Sequence, residues 1–182
     1  MPSRTLASIL SAAALGSDEV TSDLLEDFGS ATGPQWRFIS DGVMGGISGG
    51  QVTIHEVEGH PVLHLTGTVS TAHNGGFIQA RRDLPAGLPG DAKGLTVTVR
   101  GNGEDYHVLL KSARGTRPWH NYKMLFPTRP DWADITLPLS GFVPSRDELP
   151  ATIAPEDVTG IGLAGYGRDF TAELEVARIA ID

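Results

Sequence analysis

The sequence predicts an all-β chain, an antiparallel β-sandwich of jelly-roll type. Three observations carry this. From Leu24 onward apolar residues recur mostly with period two, the pattern of strands with one buried face. Turn formers are abundant, with 23 Gly and 12 Pro in 182 residues, and they punctuate the apolar runs. No convincing helical pattern follows Gly16. A chain of this length is most simply one domain with a single core. The expected division is a tail or short helix over residues 1–23, then a β-sandwich over 24–182.

The elements follow in order. Arg4 and the run Leu6 to Leu15 resemble a weak signal peptide, diluted by Thr5, Ser8 and Ser11. The run reads as a short amphipathic helix or a tail, stopped by Gly16-Ser17-Asp18. A cytoplasmic location follows, with export as the alternative if the leader acts. Leu24 to Phe28 and Trp36 to Ile39 read as short strands. Gln51 to Val57 alternates, with Val52 and Ile54 on one face, and Glu58-Gly59-His60-Pro61 is a turn. Val62 to Val69 and Phe77 to Arg82 follow, then a Pro/Gly-rich loop from Pro85 to Gly94.

Leu95 to Lys111 reads as a hairpin. Asn102-Gly103 is the type I′ pair, which needs φ > 0 at both central residues. A two-residue loop there would pair Val99 with Tyr106, Val97 with Val108 and Arg100 with Asp105. Trp119 to Phe126, Trp132 to Leu139, Val158 to Ala164 and Thr171 to Ile181 complete about ten strands, with a long connection over Pro144 to Pro155. In the last strand Leu174 and Val176 are even while Ile179 and Ile181 are odd. That phase change predicts a bulge near Ala177 or Arg178.

Composition excludes several functions. The net charge is −8 and no basic block exists, so nucleic acid is not an expected partner. There is no Cys, which removes disulfides, thiolate metal sites and Cys nucleophiles. No apolar run is long enough to span a bilayer. No cofactor fingerprint survives inspection. Gly160-Ile-Gly162-Leu-Ala-Gly165 matches G-x-G-x-x-G, but a dinucleotide site needs a following helix, and this stretch reads as a Gly-rich β turn. Gly46-Ile-Ser48-Gly-Gly50 matches a nucleophile elbow, but strand follows it, so Ser48 reads as a loop hydroxyl bonded to nearby backbone. His60 and His64 lie roughly 13 Å apart along one strand and do not share a metal. His55 lies across a turn from them. No catalytic residue and no metal site are expected.

The richest local feature is the loop Asp41 to Gly50, with five Gly in ten residues. Repeated Gly permits positive φ and close approach of another group to the backbone. Met44-Gly45-Gly46 and Asn74-Gly75-Gly76 suggest paired tight loops, serving either as a site or as a structural knot. The expected patch places Asp41, Gly42, Met44, Gly45, Gly46 and Ser48 beside Asn74, Gly75, Gly76 and Phe77. Arg81 lies on the same strand as Phe77, with Arg100, Tyr106 and Trp119 alongside. This patch is the candidate for binding a protein or a ligand.

The residues resemble the complex I intermediate-associated protein family. The resemblance rests on Trp36, Ser40-Asp-Gly-Val-Met-Gly-Gly-Ile-Ser48, Asn74-Gly-Gly-Phe77 with Arg81, and Val99-Arg-Gly-Asn-Gly103 with Tyr106. It continues through Tyr122 to Phe126, Trp132, Leu137-Pro-Leu-Ser-Gly-Phe142-Val-Pro144, Ile161 to Ala164 and Phe170 to Ile179. It implies a galactose-binding-domain-like sandwich and a non-catalytic, chaperone-like module. The partner it implies is a protein, such as a respiratory-complex subunit held during assembly. The alternative is a carbohydrate- or small-ligand-binding module. Asn102 stands where Asp is common, and Ser145-Arg-Asp147 replaces a more usual Arg-Gly, which weakens transfer of any site built on that turn.

Overall fold

Two antiparallel sheets face each other because each alternating strand presents one apolar side. A computed structural model describes residues 5–12, 23–30 and 35–182. The elements are α1 (Leu6–Ala12), β1 (Asp23–Glu26), β2 (Arg37–Ser40), β3 (Gly49–Val57), β4 (His60–Val69), β5 (Phe77–Asp83) and β6 (Gly94–Gly101). They continue with β7 (Asp105–Ser112), β8 (Tyr122–Pro127), β9 (Ala133–Pro138), β10 (Val143–Pro144), β11 (Val158–Tyr166) and β12 (Phe170–Ile181). Sheet I runs β3-β4-β12-β6-β9, with β1 on the end of β12; sheet II runs β10-β8-β7-β11-β5-β2. The chain crosses between the sheets repeatedly, as expected of a jelly roll.

The core lies between the sheets. Sheet I contributes Leu63, Leu65, Val97, Val99, Leu174 and Val176; sheet II contributes Ile78, Tyr106, Val108, Leu110, Phe126, Ile161 and Leu163. Burial of such side chains stabilises by roughly 1.5–3 kcal/mol each and dominates the fold. The phase change in β12 is a bulge. Val176 pairs with Val99 and Arg178 with Thr98, so Ala177 is the extra residue.

The 95–111 segment is not a hairpin. β6 lies in sheet I between β12 and β9, and β7 lies in sheet II between β8 and β11. Residues 102–104 arch across the core. Val99 pairs with Val176 and Ala133, and Arg100 with Glu175, in place of Tyr106 and Asp105. Alternation alone does not separate the two arrangements. In a hairpin Val99 and Tyr106 would sit side by side above the core, whereas here they point into it from opposite walls. Asn102 holds the arch through its side chain. Its Nδ2 donates to the Thr171 carbonyl at 2.8 Å, and its Oδ1 accepts from the Tyr106 hydroxyl at 2.7 Å. That hydroxyl in turn accepts from the Glu173 amide at 2.8 Å. Gly103 supplies the left-handed turn at φ 86°.

α1 packs on the outside of sheet I. Leu6 and Ile9 are buried with Val62, Trp132 and Ala177. Thr5 caps the helix by accepting from the Ser8 amide, and Glu58 accepts from the Leu6 amide, so two otherwise unpaired helix-end donors are satisfied. The expected stop at Gly16-Ser17-Asp18 lies outside the described residues. No helix among the described residues is long and apolar enough to cross a membrane.

The arch has a direct test. Asn102→Ala removes two hydrogen bonds from a part-buried network and should cost about 2 kcal/mol. Urea unfolding with an unchanged m value reads it. A loss under about 0.5 kcal/mol would mean that the arch is held some other way.

Candidate functional site

Ser40 ends β2 and caps a single 3₁₀ turn over Asp41–Met44 by accepting from the Gly42 amide. The turn drives the Asp41 side chain inward, where it is fully buried. Its Oδ1 accepts from the Ser48 amide at 3.0 Å. Its Oδ2 accepts from the Ser48 hydroxyl at 2.5 Å and from the amides of Gly76 at 2.6 Å and Phe77 at 3.3 Å. The Ser48 oxygen also accepts from the Ser70 amide at 2.9 Å. Burial pushes the Asp41 pKa up, but the Ser48 hydroxyl and the three amides outweigh it, and the net shift is below the usual carboxylate value.

Two glycines exist to admit this carboxylate. A Cβ at Gly46 would lie 2.3 Å from the Asp41 carboxyl carbon, and one at Gly75 would lie 2.4 Å from its Oδ2. Gly45 differs: it sits at φ 86° in open space. In the second loop His73 and Asn74 take left-handed conformations, and the Gly167 amide donates to the Gly76 carbonyl at 2.7 Å. The two Gly loops therefore lie side by side, tied by one carboxylate. Outside the knot the turn presents Val43, Met44 and Ile47 to solvent, each more than 60% exposed.

The remaining patch residues are dispersed. Phe77 and Arg81 project from the outer face of sheet II. Arg100 lies on sheet I, where its Nε donates to Glu175 Oε2 and its guanidinium stacks 4.7 Å from the Trp132 ring. Tyr106 is fully buried in the core, closing the arch. Trp119 is exposed, in the loop after β7 at the end opposite the knot. The expected single patch is thus corrected: Arg100, Tyr106 and Trp119 do not join the Gly loops.

The outer face of sheet II holds a feature that the sequence reading missed. Across the sheet, cross-strand register aligns Arg37, Arg81, Gly162, Leu109 and Lys123 in one row. The next rows hold Asp83, Gly160 and Lys111 on one side, and Ile39, Gln79, Ala164, His107 and Leu125 on the other. On this face the middle strand, β11, carries only Gly160, Gly162 and Ala164 before Tyr166. The result is a shallow trough along β11, walled by Arg81 and Gln79 on one side and by Lys111, Leu109 and His107 on the other, with its floor residues buried beneath those side chains. A Cβ on Gly162 would meet Gln79 Oε1 at 2.6 Å and Leu109 Cβ at 3.6 Å. The G-x-G-x-x-G match lies in this strand, not in a turn. Its period-two glycines were the available signal, since Gly inside a strand marks close approach.

Arg81, His107 and Lys111 at the trough are half-buried. Burial, and then the charge of Arg37, lower the pKa of Arg81. Burial, and then Lys123, lower that of His107. Burial and the Arg81 charge bring Lys111 down to about 8. Lys111 Nζ donates to the carbonyls of Pro118 and His120. Lys123 Nζ lies 4.8 Å from the Tyr166 ring, and His107 meets the same ring edge-on. Buried Arg81 Nε and His107 Nδ1 have no partner.

His55 and His64 pack edge-on, 4.8 Å apart, on sheet I, facing Glu175 and Glu173. Among the described residues no three His, Asp or Glu side chains converge as a metal site. A separate cleft of about 510 Å³ beside α1 is lined by Leu10, Leu24, Asp27, His60 and Arg178, among others. None of its side chains holds a buried unpartnered polar atom.

Residues 27–176 match the family model described as Complex I intermediate-associated protein 30 (CIA30). The chain belongs to the CIA30 family. Among curated protein sequences, none matches it. Solved structures similar to this CIA30-family chain include carbohydrate-binding modules. A family 11 module of a cellulosomal cellulase of Clostridium thermocellum is 17% identical, with TM-score 0.73 over 90% of this chain and 95% of that one. The family 11 module has also been solved in complex with a β-1,3-1,4-mixed-linked tetrasaccharide. A family 30 module from another C. thermocellum cellulosomal cellulase is 14% identical, with TM-score 0.60 over 82% of this chain and 92% of that one. These likenesses show the jelly-roll sandwich.

The knot orders its own variants. Gly46→Ala forces a methyl onto the Asp41 carboxylate and should destabilise by roughly 3 kcal/mol. Gly45→Ala meets only left-handed strain and should cost about 1 kcal/mol. Thermal unfolding of both variants checks the order; equal losses would mean that Asp41 does not set the packing there.

Proposed function

We propose that this CIA30-family chain is a non-catalytic binding module that holds a partner protein during assembly of a larger complex. A subunit of respiratory complex I is the partner that the family description suggests. The observation that supports this reading is the exposed apolar tip Val43, Met44 and Ile47. A solvated turn gains nothing from three large apolar side chains, and such clusters mark interaction sites. The Asp41 knot fixes the tip, so little ordering entropy is lost on docking. The Ser48 hydroxyl is committed to Asp41 and Ser70, which argues against a nucleophile there.

A second reading, a carbohydrate- or small-ligand-binding module, is supported by the trough along β11. It lies on a different face from the Val43–Ile47 tip, so the two readings separate by mutation.

Tagged chain recovered from its own source cells should carry complex I subunits. The triple variant Val43→Asp, Met44→Asp, Ile47→Asp should lose them at least tenfold while unfolding at the same temperature. Recovery of the same subunits at the same yield by the triple variant would overturn the reading.

A further inference from the structure

The guanidinium of Arg81 makes no hydrogen bond or ion pair among the described residues. It is half-buried, and its cross-strand neighbour is a second cation, Arg37. Arg37 is itself satisfied, bound through both terminal nitrogens to Asp83 at 3.0 and 3.2 Å. Arg81 Nε is buried without an acceptor, beside the like charge of Arg37, and a buried unpaired donor is costly. The arrangement is explained by an acceptor that arrives from outside.

The neighbours define that acceptor. Gln79 is 9% exposed, its amide has no hydrogen-bond partner among the described residues, and its oxygen lies over Gly162 in the trough floor. His107 Nδ1 is a second orphan on the opposite wall. Lys111 stands across β11 from Arg81, held at the wall by two carbonyls. The face carries Arg37, Arg81, Lys111 and Lys123 against only Asp83 and Asp105, in a chain of net charge −8. Cations concentrated on one face of an acidic protein focus an anion there.

The shape narrows the class. The small-residue stretch Gly160 to Tyr166 is about 20 Å long at strand rise, so an occupant that displaces the Gln79 end along it is elongated. β11 is a central strand with both edges paired, so it offers a peptide no free backbone to extend. Side-chain amide, imidazole and guanidinium donors, with Tyr166 as an aromatic platform at one end, suit hydroxyls, carboxylates and a sugar ring.

We propose that the trough along β11 binds an acidic oligosaccharide, with Arg81 receiving a uronate carboxylate and Gln79 and His107 receiving its hydroxyls. The proposal rests on the second reading for placing a saccharide on this face. It adds that the saccharide is anionic.

Titration calorimetry tests both parts with defined probes. These are oligogalacturonate, alginate and glucuronate-containing oligomers, neutral mixed-linked glucan oligomers, and inorganic phosphate. At least one uronate oligomer should bind with a Kd below about 1 mM, at least tenfold tighter than the neutral glucan and than phosphate. Arg81→Gln should weaken it tenfold or more. Gly162→Val should block it, because its only close contact is the movable end of Gln79 and the fold survives. The triple Val43–Met44–Ile47 variant should bind as well as the native chain. Equal binding of neutral glucan would overturn the anionic assignment and leave the saccharide reading standing. Phosphate binding as tightly as the oligomers, or binding unaffected by Gly162→Val, would overturn the trough as a glycan site. No binding by any oligomer would overturn both.

Discussion

One buried carboxylate joins the two walls of the sandwich. The chain leaves sheet II at the end of β2, makes β3 and β4 in sheet I, and returns to sheet II in β5. Asp41 stands at the outward crossing. Its hydrogen bonds reach Ser48, just before β3, and Gly76 and Phe77, where β5 begins; Ser48 in turn reaches Ser70, just after β4. Both crossings are thus fastened at one point. The left-handed and glycine positions around it are consequences, since the loops must come close enough for backbone amides to surround two oxygens. The exposed tip over the knot and the start of β5, which walls one side of the trough, both take their positions from it.

The two outer faces of the sandwich are built differently. Sheet I is covered in part by α1; on it Arg100 is bridged to Glu175 and His55 lies near Glu175, while His64 lies near Glu173 with its Nε2 unbonded. Sheet II has no helix over it among the described residues, and its central strand is stripped to glycine and alanine. Beside that strand Arg81 Nε and His107 Nδ1 are buried without a partner. Arg100 and Arg81 differ accordingly: Arg100 is bridged to Glu175 and stacked on Trp132, while Arg81 Nε is buried without a partner.

Much of the fold was legible because period-two alternation reports burial directly. Strand locations, the β12 bulge and the absence of long helices all came from it. Strand partners did not. Asn102-Gly103 gave the local chemistry of a tight turn. Whether such a turn returns within one sheet or crosses to the other depends on distant partners, Glu175 and Thr171 among them. The Gly loops were legible as a pair, because two Gly-Gly steps beside an Asp and an Asn ask for close company. Their centre, Asp41, is an ordinary residue in the sequence, and only its burial reveals its role. The trough was hidden for the same reason. Gly160, Gly162 and Ala164 become a groove only when Arg81, Gln79, His107 and Lys111 are brought alongside by β5 and β7.

The most direct test of the knot is an NMR titration of the Asp41 carboxyl carbon, followed with the Ser48, Gly76 and Phe77 amides. A carboxylate held by four donors has a folded pKa below its unfolded one. It contributes stability above the unfolded value, and that stability is lost as pH falls through the folded pKa. The expected result is a midpoint below 3.8, the ordinary value, with the three amide resonances shifting together at that same midpoint. A midpoint at or above 3.8, or amides that ignore the carboxyl's titration, would contradict the claim that Asp41 ties the sandwich together.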